Sequence, residues 1–318
     1  MSPNSKNNGD ILPERQLERL VAPQASPRKF QIVYFNILTV GYTHLAALYG
    51  IYLCFTVALW KTLLLNFVVG VFAAIGVGAG AHRLWSHRSY KAKFPLEILL
   101  MIFHSMAFQN TVIDFVRDHR LHHKYSDTDA DPHNATRGFF YSHYGWLLVK
   151  KHPEVTRRGQ YTDMSDIYSN PVLNFQRKYA IPLIGTVCFI LPTFLPVYFW
   201  GETVNTAWHI CMLRYALNLN FTFSINSFTH MYGYQPFDKN ILPVNNFLAN
   251  IVTLGEGHHN FHHVFPWDYR GTHVSNLWNI SCLLIDLFAW IGWAYGLKTV
   301  PEEVIQARIK RTAKMDSI

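Results

Sequence analysis

Long stretches without a charged residue are the feature that most constrains the fold of this chain. Residues 30–60 contain no Asp, Glu, Lys or Arg, and neither do residues 62–81 or 179–201. A fourth stretch, 203–229, is interrupted only by Arg214. Because a helix of about 20 residues spans the hydrocarbon core of a bilayer, these stretches predict two helical hairpins that cross a membrane.

The composition agrees with a membrane protein that also has a large polar part. Only 15% of the 318 residues are charged, whereas about 25% is usual for a soluble domain. The mean hydropathy of +0.05 is low for a chain buried wholly in lipid. The net charge of +8 accompanies apolar stretches, so it favours anionic lipid or an anionic substrate over nucleic acid.

The distribution of basic residues predicts the orientation in the membrane. Residues 82–178 hold 14 Lys and Arg, whereas the two hairpin turns hold only Lys61. The positive-inside rule then places both termini and this segment in the cytosol. We expect an all-α integral membrane protein with four transmembrane helices and a cytosolic helical cap. The membrane domain is 30–300, with spans at about 33–58, 62–81, 180–200 and 204–226 and a cap of 82–178 and 230–300. It lies between a polar N-terminal tail, 1–29, and a basic C-terminal tail, 301–318.

Two further apolar segments, 94–116 and 280–297, resemble spans but contain acidic residues. If either crossed the bilayer, the histidine clusters described next would lie on opposite sides of it. We therefore expect both segments to form helices at the membrane interface.

Nine of the 17 histidines fall into a pattern. An HxxxxH motif ends the second span, two HxxHH motifs follow later, and Asn226 and a ninth histidine end the fourth span. On an α-helix the three histidines of HxxHH share one face, whereas His82 and His87 are about 140° apart and poorly placed to grip one ion. Neutral imidazole binds Zn, Cu, Fe or Ni, and nine ligands are too many for one tetrahedral zinc. The pattern predicts a dimetal centre held by His82, His87, His119, His122, His123, His230, His259, His262 and His263.

These motifs resemble the membrane fatty acyl-CoA desaturases of the stearoyl-CoA desaturase family, and within it the insect members. The resemblance runs from about Gln31 to Lys298. It rests on GAHRLWSH, RDHRLHHKYSDTDADPHN, GWLLVKKHP, the Asn226/His230 pair and GEGHHNFHHVFPWDY. It implies a four-span helical fold in which the acyl chain follows a bent tunnel past a di-iron centre.

The resemblance also implies which residues hold the two Fe2+ ions. One iron would take His82, His119, His123 and His262, with Asn226 reaching it through a water. The other iron would take His87, His122, His230, His259 and His263.

Substrate contacts are implied in the same way. The positions that match CoA contacts carry polar side chains, of which Arg and Lys suit phosphate groups. For the pair Lys150–Lys151, binding of anionic lipid is an alternative. The implied contacts are Asn36, Asn110, Arg117, Asp118, Lys150 and Lys151 for CoA, and Phe223 for the acyl chain.

The sequence departs from the family pattern at three positions close to the motifs. Phe228 and Thr229 stand where the family commonly has two alanines, and His258 stands where it has an aromatic residue. The length of the acyl chain and the position of its double bond are therefore left open.

The implied reaction introduces a double bond into a saturated fatty acyl-CoA, using O2 and two electrons. No HPGG motif occurs, so the electrons are expected from separate cytochrome b5 and NADH-cytochrome b5 reductase at the endoplasmic reticulum membrane. The alternatives are a related di-iron membrane hydroxylase, and a metal-binding or transport protein, which would place its ligands near the bilayer midplane. An intramembrane zinc protease is disfavoured because no HExxH occurs.

Overall fold

A computed structural model describes residues 29–273 and 279–315, and its regular structure is almost entirely helical. Strands β1 (Lys91–Ala92) and β2 (Ala294–Tyr295) form one short antiparallel pair. In chain order the longer helical elements and the short α-helices are α1 (Tyr34–Thr56), α2 (Trp60–Ser86), α3 (Phe94–Ala107), α4 (Val112–Lys124), α5 (Trp146–Leu148), α6 (Pro153–Gly159), α7 (Ser165–Tyr168), α8 (Pro171–Lys178), α9 (Ala180–Trp200), α10 (Val204–Met231), α11 (Phe247–Val252), α12 (His259–Val264), α13 (Ile280–Trp290) and α14 (Glu302–Met315). A 3-10 helix, Ala135–Arg137, and a π-helix, Tyr141–Gly145, precede α5.

Three helices, α1, α2 and α9, are long and apolar enough to cross a membrane. Helices α3 and α4 also meet this criterion as a pair, but they are bent by 83° where they join. Helix α10 has 28 residues and is more polar, because Arg214, Asn218 and Asn220 lie in its middle. Helix α13, with 11 residues, is too short to span. The residues described thus contain three or four candidate spans, and the number four stays a prediction.

The candidate spans pack into one bundle with α10. Helix α1 lies along α10, and α2 packs against α3, α10 and the start of α13. The approach of α2 to α3 is closest at Gly76, where an added Cβ would lie 2.1 Å from the backbone nitrogen of His104. Only glycine allows the two backbones to come so close.

The two hairpin turns are joined by Glu202, which is buried between them. One carboxylate oxygen accepts hydrogen bonds from the backbone N–H of Leu59 at 2.9 Å and from the Thr62 hydroxyl at 2.8 Å. The other oxygen accepts from the backbone N–H of Thr203 at 3.1 Å, at the start of α10. One side chain therefore holds the ends of both hairpins.

Several of the remaining helices surround an apolar core, and their role as a cytosolic cap stays a prediction. Trp85, Leu100, Val116 and Ile167 are buried together in this core. Residues 301–318 were expected to be a tail, yet Glu302–Met315 forms α14, and its Ile305 is buried against Phe261 of α12. The predicted N-terminal tail lies outside the described residues except for Lys29.

Candidate metal centre

The end of helix α2 is π-helical from Gly76 to Ser86, and this changes the expected relationship between its two histidines. The backbone N–H of His87 donates to the carbonyl of His82 at 3.1 Å, five residues back. The two imidazole rings lie 4.9 Å apart. The angle of about 140° applies to an α-helix, whereas i→i+5 bonding widens each turn. His82 and His87 are therefore together on one side.

The nine histidines of the predicted set form two groups. Within each group, one ring nitrogen of every histidine lies within 4.8 Å of the others. The structure brings His87 into the group of His82, whereas the resemblance assigned it to the other ion. The first group is His82, His87, His119, His123 and His262, and the second group is His122, His230, His259 and His263.

The facing nitrogens in both groups are the Nε2 atoms. The Nε2–Nε2 distances are 2.8 Å for His87 and His119, 2.9 Å for His82 and His262, and 3.0 Å for His230 and His259. Two imidazole nitrogens bound at about 2.1 Å to one metal are about 3.0 Å apart when the angle at the metal is 90°. The donor sets consist of imidazoles, which suit first-row transition metals. Both groups therefore fit a metal centre.

Two buried carboxylates support these rings from behind. Both carboxylate oxygens of Asp131 lie 2.9 Å from Nδ1 of His122, and Oδ1 of Asp127 lies 3.2 Å from Nδ1 of His230. Such contacts fix the tautomer and orientation of a metal-binding histidine, and here they leave Nε2 free to face the centre. These aspartates are absent from the site residues predicted from the sequence, although the DTDAD segment after the first HxxHH is a usable signal.

The electrostatics of the site keep the imidazoles of the third motif neutral. Burial, reinforced by neighbouring histidines, holds the pKa of His259, His262 and His263 well below its usual range. Burial alone raises the pKa of the Asp131 carboxyl, but His122 outweighs it and lowers this pKa to about 2. Neutral imidazole is the form that binds a metal.

An apolar cavity of about 1050 Å³ runs between the helices and reaches both histidine groups. Its wall includes His82 and His119 of the first group and His122 and His259 of the second. Five further residues from the predicted site lie in the same wall: Asn36, Asn110, Asp118, Phe223 and Asn226.

The other three predicted CoA contacts are not among the residues that line this cavity. Lys151 forms an ion pair with Asp118, and Arg117 lies 3.3 Å from the same carboxylate. The backbone N–H of Lys150 donates to the carbonyl of Gln31 at 2.8 Å. Arg117 and Lys151 therefore lie at the Asp118 side of the cavity.

The departures from the family pattern lie beside the centre. Phe228 packs edge-to-face on Phe139, with ring centroids 4.9 Å apart. Thr229 is buried, and its hydroxyl donates to the carbonyl of Ile225. His258 belongs to neither histidine group. None of these three residues lines the cavity in the part of the chain that the structure describes.

The family model for fatty acid desaturases matches residues 58–297. The chain is 61% identical to an acyl-CoA Delta(11) desaturase of Choristoneura rosaceana, over 98% of this chain and 94% of that protein. It is 64% identical to an acyl-CoA Delta(11) desaturase of Spodoptera littoralis, over 94% and 89% of the two chains. It is 56% identical to an (11Z)-hexadec-11-enoyl-CoA conjugase of Bombyx mori, over 98% and 96%.

The match covers both histidine groups and the cavity that connects them, so the chain belongs to the fatty acid desaturase family and is an acyl-CoA desaturase of the insect type.

Proposed function

We propose that this enzyme inserts a double bond at carbon 11 of a saturated fatty acyl-CoA, at two iron ions held by the nine histidines. The observation that carries the proposal is the meeting of two imidazole groups at the wall of one long apolar cavity. The position of the double bond is inferred from relatives that are named Delta(11) desaturases.

The proposed ligands of the first iron are His82, His87, His119, His123 and His262, and those of the second are His122, His230, His259 and His263. Asn226 would complete the first site through a water. Bound iron would supply the redox chemistry: with two electrons and two protons, O2 takes two hydrogens from neighbouring methylenes and leaves as two waters.

The protein positions the substrate and keeps the reaction dry. Phe223 is buried against Tyr144, with ring centroids 5.1 Å apart, and both pack beside the Trp146 indole. Phe223 and Trp146, which line the cavity, would hold the acyl chain in register with the centre, because the distance from the thioester sets which methylenes reach the metals. Asn36 donates to the carbonyl of Leu147 at 2.6 Å, which ties α1 to this wall.

The CoA head group would lie at the Asp118 side of the cavity. Arg117, Lys150 and Lys151 would neutralise its phosphates there, with Asn36, Asn110 and Asp118 as polar contacts. Lys151 would have to exchange its ion pair with Asp118 for a phosphate, so this contact predicts a salt-dependent KM.

The proposed setting is the endoplasmic reticulum membrane, with four spans (α1, α2, α9 and α10) and the cap and both termini in the cytosol. The bent pair α3–α4 and α13 would lie at the interface, which keeps all nine histidines on one side. Cytochrome b5 and NADH-cytochrome b5 reductase would supply the electrons from that side.

Expression in desaturase-deficient yeast tests the proposal. We expect a new fatty acid whose double bond mass spectrometry locates at carbon 11. The same analysis should also look for conjugated dienes, because the Bombyx mori relative is named a conjugase. The product should vanish in His122→Ala and persist in His273→Ala, an exposed histidine outside both groups. Hydroxylated acids, or purified active protein that holds zinc instead of iron, would refute it.

A further inference from the structure

We propose that the cavity has a second arm, lined by Val252, Leu254 and Ile280, that admits dioxygen from the lipid to the metal centre. The inference rests on the proposed function, because dioxygen is a substrate only of that reaction. It concerns a route into the site and not the metal ligands themselves.

The inner end of this arm lies beside the first histidine group. An added Cβ on Gly78 would lie 2.4 Å from the Ser281 hydroxyl and 3.1 Å from a carboxylate oxygen of Glu256. Gly78 stands four residues before His82 on the π-helical segment, and Glu256 Oε2 lies 3.8 Å from Nδ1 of His82. The start of α13 and the turn after α11 therefore meet α2 next to the centre.

Exposed apolar side chains of α11 border the outer end of the arm. On α11, Leu248 and Ile251 are exposed within the turn that ends at Val252, whereas the exposed Leu287 and Trp290 of α13 lie seven and ten residues beyond Ile280. The one acid of α13, Asp286, accepts a hydrogen bond from the Tyr269 hydroxyl at 2.8 Å. Such a border suits lipid, and dioxygen, which is apolar, dissolves better in hydrocarbon than in water.

The rest of the cavity is here called the main arm. A bound acyl chain would occupy this main arm and leave no room in it for dioxygen. That arm includes the CoA-side residues Asn36, Asn110 and Asp118, and under the proposed function a bound acyl chain would fill it as far as the metals. Dioxygen must still arrive while the substrate is in place. The second arm offers a route that the substrate leaves open.

Leu254 is the residue best placed to control this route. Its side chain lines the cavity and is also 36% exposed, so it reaches both the inside and the outside. Its backbone has a φ of 57°, and Gly255 follows with a φ of 113°. The Leu254 carbonyl accepts from the N–H of Ile280 at 3.1 Å. This backbone hydrogen bond therefore holds the turn at Leu254 against the start of α13, with Leu254 between α11 and α13.

The test compares Leu254→Trp with Leu287→Trp, which adds the same side chain on the exposed face of α13. Both are purified in lipid nanodiscs with their electron donors, and the rate is measured against dioxygen concentration at saturating acyl-CoA. We expect a several-fold rise in the KM for dioxygen in Leu254→Trp alone, with an unchanged KM for acyl-CoA. If Leu254→Trp fails to fold, Val252→Trp takes its place.

Xenon binding gives a readout that does not depend on activity, because apolar cavities bind xenon. Crystals under xenon pressure should show a site between Leu254 and Ile280 that Leu254→Trp removes. An unchanged KM for dioxygen, or a changed acyl-chain preference in Leu254→Trp, would overturn the inference. An inactive wild-type enzyme that still binds xenon there would instead refute the proposed function.

Discussion

The backbone N–H of His87 donates to the carbonyl of His82, and this i→i+5 bond brings the two rings to 4.9 Å. An α-helix would have turned the two side chains away from each other. The π-helical segment thus puts both ends of the HxxxxH motif into one five-histidine group. Backbone geometry, rather than the spacing of the motif alone, decides which histidines can share an ion.

The close contact between Gly76 of α2 and the backbone of α3 should not tolerate an added methyl group. Gly76→Ala places Cβ 2.1 Å from the backbone of His104, so we expect a loss of stability of at least about 1–3 kcal/mol. Thermal unfolding in detergent, followed by tryptophan fluorescence, measures it. Gly41→Ala is the matched control, because an added Cβ there has no neighbour within 4 Å among the described residues. Equal melting temperatures for the two variants would contradict the expectation.

Removing the negative charge of Asp131, which contacts Nδ1 of His122, should weaken metal binding. Asp131 is fully buried and holds Nδ1 of His122, and loss of such a partner lowers metal affinity about 10–100-fold. We expect Asp131→Asn to lose metal during dialysis against a chelator, as measured by plasma mass spectrometry. Asp129→Asn, an exposed neighbour that pairs with Arg137 at 2.6 Å, should retain it. Full retention by both variants would argue against His122 as a ligand.

Acidification should destabilise the metal-free protein more than the metal-bound protein. The folded-state pKa of His259, His262 and His263 lies well below the unfolded value, which is about 6.5. As the pH falls through that value, the unfolded chain takes up protons that the folded chain excludes, so stability decreases. Asp131, with a pKa of about 2, loses its stabilising effect only in stronger acid.

Melting temperatures at pH 7.5, 6.5 and 5.5 check this expectation for protein with and without metal. The metal-free curve should fall across this range, while bound metal delays the fall because protons must displace it. A metal-free melting temperature that is constant over the range would be inconsistent with buried neutral imidazoles.

The hydrogen bonds of Glu202, which link the two hairpin turns, should contribute to stability but not to metal binding. Glu202→Ala leaves the backbone N–H of Leu59 and the Thr62 hydroxyl without their acceptor, which costs about 1–3 kcal/mol. Urea or thermal unfolding measures the loss, and Glu303→Ala, on the exposed side of α14, provides the control. Metal content should be the same in both variants, and a selective loss of metal in Glu202→Ala would contradict a purely structural role.

The part of the cavity between α2 and α10 should limit the length of the acyl chain. An added Cβ on Gly70 would lie 3.3 Å from Cγ of Arg214 and 3.4 Å from Oδ1 of Asn218, and all three residues line the cavity. A large side chain in Gly70→Phe must therefore occupy cavity space. We expect the longest products to disappear from yeast fatty acids while shorter ones persist. Gly185→Phe, where an added Cβ meets no described residue within 4 Å, should leave the profile unchanged.

Several helices and part of the metal site could be predicted from the sequence, because they depend on local sequence patterns. Stretches without charge must be buried in lipid or in protein, so helices α1, α2 and α9 could be predicted from them. The two HxxHH motifs place their histidines on one helical face by α-helical geometry alone, and His119 and His123 do lie in one group. The resemblance identified the family, which the comparisons confirm.

The tertiary structure decided what depends on contacts between distant segments. His87 lies in the group of His82 because the end of α2, which begins where Gly76 packs closely on α3, is π-helical. No spacing rule predicts this π-helical segment. The pairing of Asp127 with His230 and of Asp131 with His122 depends on the fold, because the DTDAD segment indicates nearby carboxylates but not which histidine each one contacts. The assumed C-terminal tail forms α14 because Ile305 finds an apolar partner on the third histidine motif. Side-chain packing between remote segments is set by the whole fold, and local sequence patterns do not encode it.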